Sequence, residues 1–175
     1  MDIEIRKAQP DDVLEIQEVL YETWLATYPN KNYGITRECI EERFKNRRES
    51  NWIRKRKEYV THLPTYECYF VALIDGKIIG VCRAEAGHTS NWLRALYVLP
   101  SCQRQGIGKA LWLRAKQFLD PGKVTRVLVA SYNEQAIRFY HKQGFIESSR
   151  FAEAFKIKTG VEIPQIELIR KSDVY

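Results

Sequence analysis

Long apolar runs are missing from this chain, and nothing in it approaches the roughly 18 consecutive apolar residues that a membrane-spanning helix needs. The first residues, Met1 Asp2 Ile3 Glu4 Ile5 Arg6 Lys7, carry charge too early for a signal peptide. Cysteine is scarce and unpaired in sequence. Cys39, Cys68, Cys82 and Cys102 stand far apart with no CxxC spacing, which suggests neither a zinc site nor a disulfide framework and leaves them as small buried or half-buried side chains. Repeats, linkers and low-complexity tracts are absent as well. The expectation is one domain over residues 1–175, cytoplasmic, with no metal and no membrane partner.

With 175 residues, 45% of them hydrophobic and 29% charged, the chain is large enough to bury a substantial core. Its net charge of +6 favours anionic partners but does not separate a nucleotide-like cofactor from a nucleic acid. The densest basic stretch runs from Arg47 Arg48 to Arg54 Lys55 Arg56 Lys57 around Trp52. Interrupted by Glu49 and Glu58, it reads as a solvated helix face, so nucleic acid is not expected as a partner.

Ile3 and Ile5 alternate with charges as in a short strand, and Pro10 Asp11 Asp12 opens a helix that should run to about Thr27. Thr36 caps a second helix over 37–46, and a third is expected from Trp52 to His62, ended by Pro64. Tyr66 to Ile74 and Lys77 to Ala86 form a hairpin about Asp75 Gly76. Trp92 to Leu99 reads as a buried strand stopped by Pro100, followed by an amphipathic helix from Ile107 to about Phe118. Val124 to Ser131 is again a strand, Glu134 to Gln143 a helix with Gly144 at its C-cap, and Phe145 onward a strand. A last hairpin should turn near Lys158 Thr159 Gly160, with Pro164 at an edge or bulge. Helices distributed between strands in this order predict a mixed α/β sheet.

The chemistry concentrates where the strand ending at Pro100 enters the next helix through Gln103 Arg104 Gln105 Gly106 Ile107 Gly108 Lys109. Free backbone N–H groups at a helix N-terminus form an anion site. Gly106 and Gly108 allow close approach, and Arg104 and Lys109 add positive charge. A third glycine of a dinucleotide fingerprint is absent where Leu111 stands, and the glycine and Lys-Ser/Thr of a Walker loop are absent too. Taken alone, the segment could also be a strand-to-helix turn that uses glycine for tight packing.

The string Leu96 Tyr97 Val98 Leu99 Pro100 Ser101 Cys102 Gln103 Arg104 Gln105 Gly106 Ile107 Gly108 Lys109 resembles the acetyl-CoA signature of the GNAT N-acetyltransferases. A second stretch, Asn133 to Phe145, resembles that family's Asn-x-x-Ala-x-x-x-Tyr-x-x-x-Gly-Phe pattern and includes Ala136, Tyr140, Gly144 and Phe145. The resemblance covers about Tyr66 to Phe145 well and the N-terminal third loosely. It implies a largely antiparallel sheet flanked by helices and acetyl-CoA as cosubstrate. The pantetheine arm would lie along Leu96, Tyr97 and Val98, with Asn133 bonding it. The pyrophosphate would rest on the amides of Arg104, Gln105, Gly106, Ile107, Gly108 and Lys109. Without the resemblance, Asn133 reads first as a plain helix N-cap and Tyr140 as a core aromatic with a satisfied hydroxyl.

For the reaction, the expectation is direct attack of a primary amine on the thioester, with the Val98 N–H on the thioester oxygen and Tyr140 protonating the departing sulfur. The base is open. Where many relatives carry an acid, this chain has Asn91 and Trp92, leaving Glu85 and His88 nearby. Trp24, Thr27, Tyr28 and Asn30 resemble, over a short stretch, the acceptor turn of polyamine acetyltransferases, with Trp24 and Tyr28 the substrate-binding candidates. The alternatives are transfer to a protein N-terminus or lysine, and a non-catalytic acyl-CoA sensor. The final strands also offer an edge for pairing in a homodimer.

Overall fold

The computed structural model describes residues 2–148, 152–157 and 160–173. A short strand, β1 (Glu4–Lys7), leads through a 3-10 turn into α1 (Val13–Thr27). Then come α2 (Arg37–Phe44) and α3 (Ser50–Thr61), and the hairpin β2 (Glu67–Ile74) and β3 (Lys77–Ala86). After β4 (Asn91–Val98) the chain forms α4 (Ile107–Lys116), β5 (Thr125–Ala130) and α5 (Glu134–Lys142). Four strands close it: β6 (Ile146–Glu147), β7 (Phe155–Lys156), β8 (Glu162–Ile163) and β9 (Gln165–Arg170). Seven of the strands make one sheet in the order β1-β2-β3-β4-β5-β9-β6, antiparallel except where β4 runs parallel to β5. The mixed, largely antiparallel sheet flanked by helices is thus the one expected.

Strand β2 is apolar almost throughout because both of its faces are covered. Cys68, Phe70 and Ala72 meet α4 through Leu111, Trp112 and Ala115, while Val71 and Leu73 meet Ile16 and Val19 of α1. The β2–β3 turn holds Asp75 at φ 50° and Gly76 at φ 74°, the paired left-handed residues of a type I′ turn.

Three expectations about strands are corrected. The stretch from Trp92 to Leu99 is not a uniformly buried strand: Asn91 and Leu93 are buried, but Arg94 is exposed and Ala95 to Val98 are half-buried, because the sheet opens beside them. The C-terminal part contains four strands rather than two. Pro164, which has no N–H, separates β8, paired only with β7, from β9, which enters the main sheet between β5 and β6. Pro164 itself lies at the head of β9 rather than at an edge, and its carbonyl accepts from the Ser131 N–H at 2.9 Å. Lys158 and Thr159 of the expected turn lie outside the described residues.

The basic stretch is largely tied down. Arg47 and Arg48 pair with Glu18, Lys57 with Asp11, and Arg56 lies over the Trp52 ring. No helix among the described residues is long and apolar enough to cross a membrane.

Asn91 is 1% exposed and structural. Its amide nitrogen donates to the carbonyls of Asp120 (2.8 Å) and Lys123 (3.3 Å), and its oxygen accepts from the Asp120 N–H. These bonds hold the α4–β5 loop where β4 first meets β5. Asn91→Ala should therefore lower stability by about 2–3 kcal/mol in urea unfolding, since it strands buried backbone groups. A loss below about 1 kcal/mol would show that the junction is held by other contacts.

Candidate active site

Strands β4 and β5 pair only over Asn91–Leu93 against Thr125–Val127 and then part. At the parting point β4 carries a bulge: Ala84 faces Leu93 and Arg83 faces Ala95, leaving Arg94 unmatched. A bulge sharpens local twist, and here it swings the rest of β4 away from β5. The wedge so formed is a cleft of about 1210 Å³. Its walls come from β4, β5, the loop after β4, and one face of α5, with Thr23, Thr27 and Tyr28 of the α1 end at its inner side.

The register decides which backbone groups face this gap. The Leu99 N–H bonds the Ile79 carbonyl at 2.9 Å, so Leu99 and, two residues back, Tyr97 direct their amides to β3. The N–H and C=O groups of Leu96 and Val98 therefore point toward the cleft. The Val98 carbonyl there accepts from Gln103 Nε2 at 3.0 Å, and Gln103 Oε1 in turn accepts from Gln135 Nε2 at 2.8 Å. Gln103 thus ties the end of β4 to the start of α5. Tyr97 differs from its two neighbours, because its contribution to the cleft is its phenol, joined to the Tyr28 hydroxyl by a 2.9 Å hydrogen bond.

Past Pro100 the chain turns through two left-handed residues, Arg104 at φ 62° and Gly106 at φ 83°. Holding a non-glycine residue such as Arg104 there costs on the order of 1–3 kcal/mol, a strain that concentrates at ligand-binding loops. The first amide of α4 to find a carbonyl is Ala110, on Gly106. No described residue accepts from the N–H groups of Arg104 to Lys109. These form a concave row of donors at the helix N-terminus, the arrangement that binds oxyanions. The Ile107 side chain is buried in the core at 1% exposure, so only its amide faces the row. Gly108 serves a different purpose from Gly106. A Cβ on Gly108 would stand 3.5 Å from the Phe139 ring, whereas one on Gly106 would meet nothing within 4 Å.

Helix α5 supplies the opposite wall. Asn133 caps it, its Oδ1 accepting from the Ala136 N–H at 3.1 Å, and it also lines the cleft. Gln135, Arg138 and Lys142 share the cleft-facing side at helical spacing, a signal present in the sequence but not read from it. Tyr140 lies at the inner end, 6% exposed, packed edge to face against Phe139 and Phe145. No described residue hydrogen-bonds its hydroxyl. Burial, with Cys82 and Tyr97 adding to it, holds the phenol's pKa far above its ordinary 10, so it stays protonated. Burial likewise raises Tyr97 and Tyr28.

The cleft's charged lining is all basic: Arg94, Arg104, Lys109, Arg138 and Lys142. Glu85, one of the two candidate bases, does not line it. Its carboxylate is bonded by Arg94 at 2.8 Å, because β3 and β4 bring the two side chains together beside Trp92. His88 is exposed in the β3–β4 loop and also lies outside the lining. Trp24 is 8% exposed and anchors the end of α1 among Phe44, Phe155 and Tyr28, so only Tyr28 of the two acceptor candidates reaches the cleft.

A wedge between two parted strands, with free strand amides along one wall and an oxyanion-binding helix start at its mouth, defines a site for a long ligand with an anionic centre. Such a cleft suits the cosubstrate of an acyl-CoA-dependent transferase. Residues 17–145 match the acetyltransferase (GNAT) family, and the chain belongs to that family. It is an acetyltransferase with acetyl-CoA as its cosubstrate. It is 30% identical over 156 residues to the spermidine N(1)-acetyltransferase of Thermoplasma acidophilum, covering 83% of this chain and 89% of that protein. The crystal structure of PaiA N-acetyltransferase from Thermoplasma acidophilum in complex with coenzyme A superposes with a TM-score of 0.70 at 24% identity, covering 98% of this chain and 99% of that one. The yncA putative acetyltransferase from Salmonella typhimurium, solved with acetyl-CoA, gives a TM-score of 0.64 at 19% identity, with 100% and 96% covered.

Proposed function

We propose that this acetyltransferase moves the acetyl group of acetyl-CoA directly to a primary amine, without an acyl-enzyme. The observation that carries the reading is the wedge between β4 and β5: its unpaired Leu96 and Val98 amides line one wall and the Tyr140 hydroxyl lies at its inner end. In this reading the amides of Arg104 to Lys109 hold the pyrophosphate, with Arg104 and Lys109 nearby. Leu96, Val98 and Asn133 hold the pantetheine arm. The Val98 N–H polarises the thioester carbonyl as negative charge develops on its oxygen. The free amine adds to the carbonyl carbon, the C–S bond breaks, and the Tyr140 hydroxyl gives its proton to the sulfur; the proton that the nitrogen sheds as it becomes an amide restores the phenol by way of solvent. A thiolate is ordinarily basic enough, at pKa about 8.5, to be protonated by a neighbouring acid as it leaves, and a dry site strengthens that demand.

Among the described residues no carboxylate or imidazole lines the cleft, so the acceptor gives up its proton to solvent before it attacks. The rate should then follow the fraction of free amine. kcat/KM is expected to rise with pH toward the pKa of an alkylamine, about 10, with no fall from Tyr140 ionisation below that point. A plateau below about pH 8 in initial-rate measurements would instead reveal a side-chain base.

The name of the Thermoplasma relative makes spermidine the first acceptor to assay. A thiol-release assay over a panel of primary amines tests the reading: CoA formation with at least one amine is expected. Tight CoA binding with no release on any of them would leave an acyl-CoA sensor.

A further inference from the structure

Arg43 is half-buried, and its guanidinium has no acid to answer it among the described residues. No described Asp or Glu pairs with it, no described residue hydrogen-bonds it, and its Nε is fully buried without a partner. Every other arginine of α2 and of the loop after it has an acid: Arg37 pairs with Glu41, and Arg47 and Arg48 with Glu18. A buried donor without a hydrogen bond is costly, so a fold keeps one only where something compensates it.

Aromatic rings supply part of that compensation. The guanidinium lies 4.4 Å from the centroid of Trp24, 5.1 Å from Phe155 and 5.8 Å from Phe44. These rings hold the guanidinium and leave its in-plane N–H donors free, and that fork is the group that matches a carboxylate.

Neither Arg43 nor Trp24 lines the cleft itself; both lie behind Tyr28, on the side away from the donor row of residues 104–109. The Trp24 ring that carries Arg43 lies 4.3 Å from the Tyr28 ring, and Tyr28 lines the inner end of the cleft beside Tyr97. Arg43 is within electrostatic reach of both phenols, and of Arg56, whose charge adds to the positive potential. On the cleft side the charged lining is basic as well. Among the described residues no carboxylate lines the cleft to receive the further ammonium groups of a polyamine.

Resting on the acetyl-transfer reading above, we infer that the acceptor amine also bears a carboxylate, which docks on Arg43 while the amino group reaches the thioester. Arg43 then sets specificity, and the acceptor is a small amino acid or ω-amino acid. The experiment uses ω-amino acids from glycine to 6-aminohexanoate, each matched with the alkylamine of the same length, together with glutamate and spermidine. The parent protein should show kcat/KM at least about tenfold higher for the best acid than for its matched amine, the effect expected of one charge-assisted pair. In Arg43→Met, which keeps the stem against Trp24 and Phe155, that ratio should fall toward one. Arg43→Lys, which keeps the charge but not the fork, should retain part of it and reads the same ratio should the methionine variant fold poorly. A parent ratio at or below one, spermidine outperforming every acid, or a ratio unchanged in Arg43→Met would overturn the assignment. Thermal shift in saturating CoA gives a second readout that needs no turnover. The preferred acid should raise the Tm of the parent and not of Arg43→Met, so a chain that binds the acid but releases no thiol would set aside the transfer reading alone.

Discussion

Replacing Tyr140 with phenylalanine is expected to lower kcat by about two to three orders of magnitude, with the KM for acetyl-CoA changed by no more than about threefold. Of the three phenols that line the cleft, those of Tyr28 and Tyr97 are hydrogen-bonded to each other while no described residue bonds that of Tyr140, whose ring, not its hydroxyl, makes the packing contacts with Phe139 and Phe145. Removing the hydroxyl takes away the proton for the sulfur and leaves the walls of the wedge in place. Because no described residue bonds that hydroxyl, the variant should be at least as stable as the parent in thermal unfolding, which separates a chemical loss from a folding one. Thiol release at saturating cosubstrates is the measurement, and an unchanged kcat would remove Tyr140 from the reaction.

The second large effect concerns the loop. Gly106→Val should raise the KM for acetyl-CoA about tenfold or more. The residue must hold φ 83°, and a β-branched side chain in that region is strained even though the space around it is open. Shifting Gly106 toward negative φ would turn the donor row of Arg104 to Lys109 away from one focus. Gly108→Ala is the contrasting change: its Cβ would make an ordinary 3.5 Å contact with Phe139, so KM is expected to move less than about threefold. Equal losses in the two variants would mean that the loop acts through packing between α4 and α5 rather than through its amides.

Much of the site was legible because it is written in contiguous stretches. The donor row of residues 104–109 and the helix from Asn133 to Tyr140 each need only local rules: a strand, a glycine that allows a left-handed turn, a capped helix with an aromatic four residues after an alanine. Asn133 shows how two readings can coexist, since its oxygen caps α5 while the residue also lines the cleft. Local reading failed where a side chain's partner lies far away in sequence. Glu85 looked like a base beside the thioester until β3 and β4 were placed side by side and Arg94 bonded it. Trp24 looked like an acceptor contact until Phe44 and Phe155 closed around it.

The sequence by itself therefore determined the element order from β1 to α5, the mixed sheet, the glycine-bearing start of α4 and the tyrosine of α5, which rest on local patterns, but not the four short strands after α5. Only the tertiary structure decided that β4 parts from β5 after Leu93, that β9 enters between β5 and β6, and that Arg43 stands without an acid among the described residues. A gap between strands and an unanswered charge are properties of what lies opposite a residue, and strand pairing and helix packing assign that neighbour from distant parts of the chain.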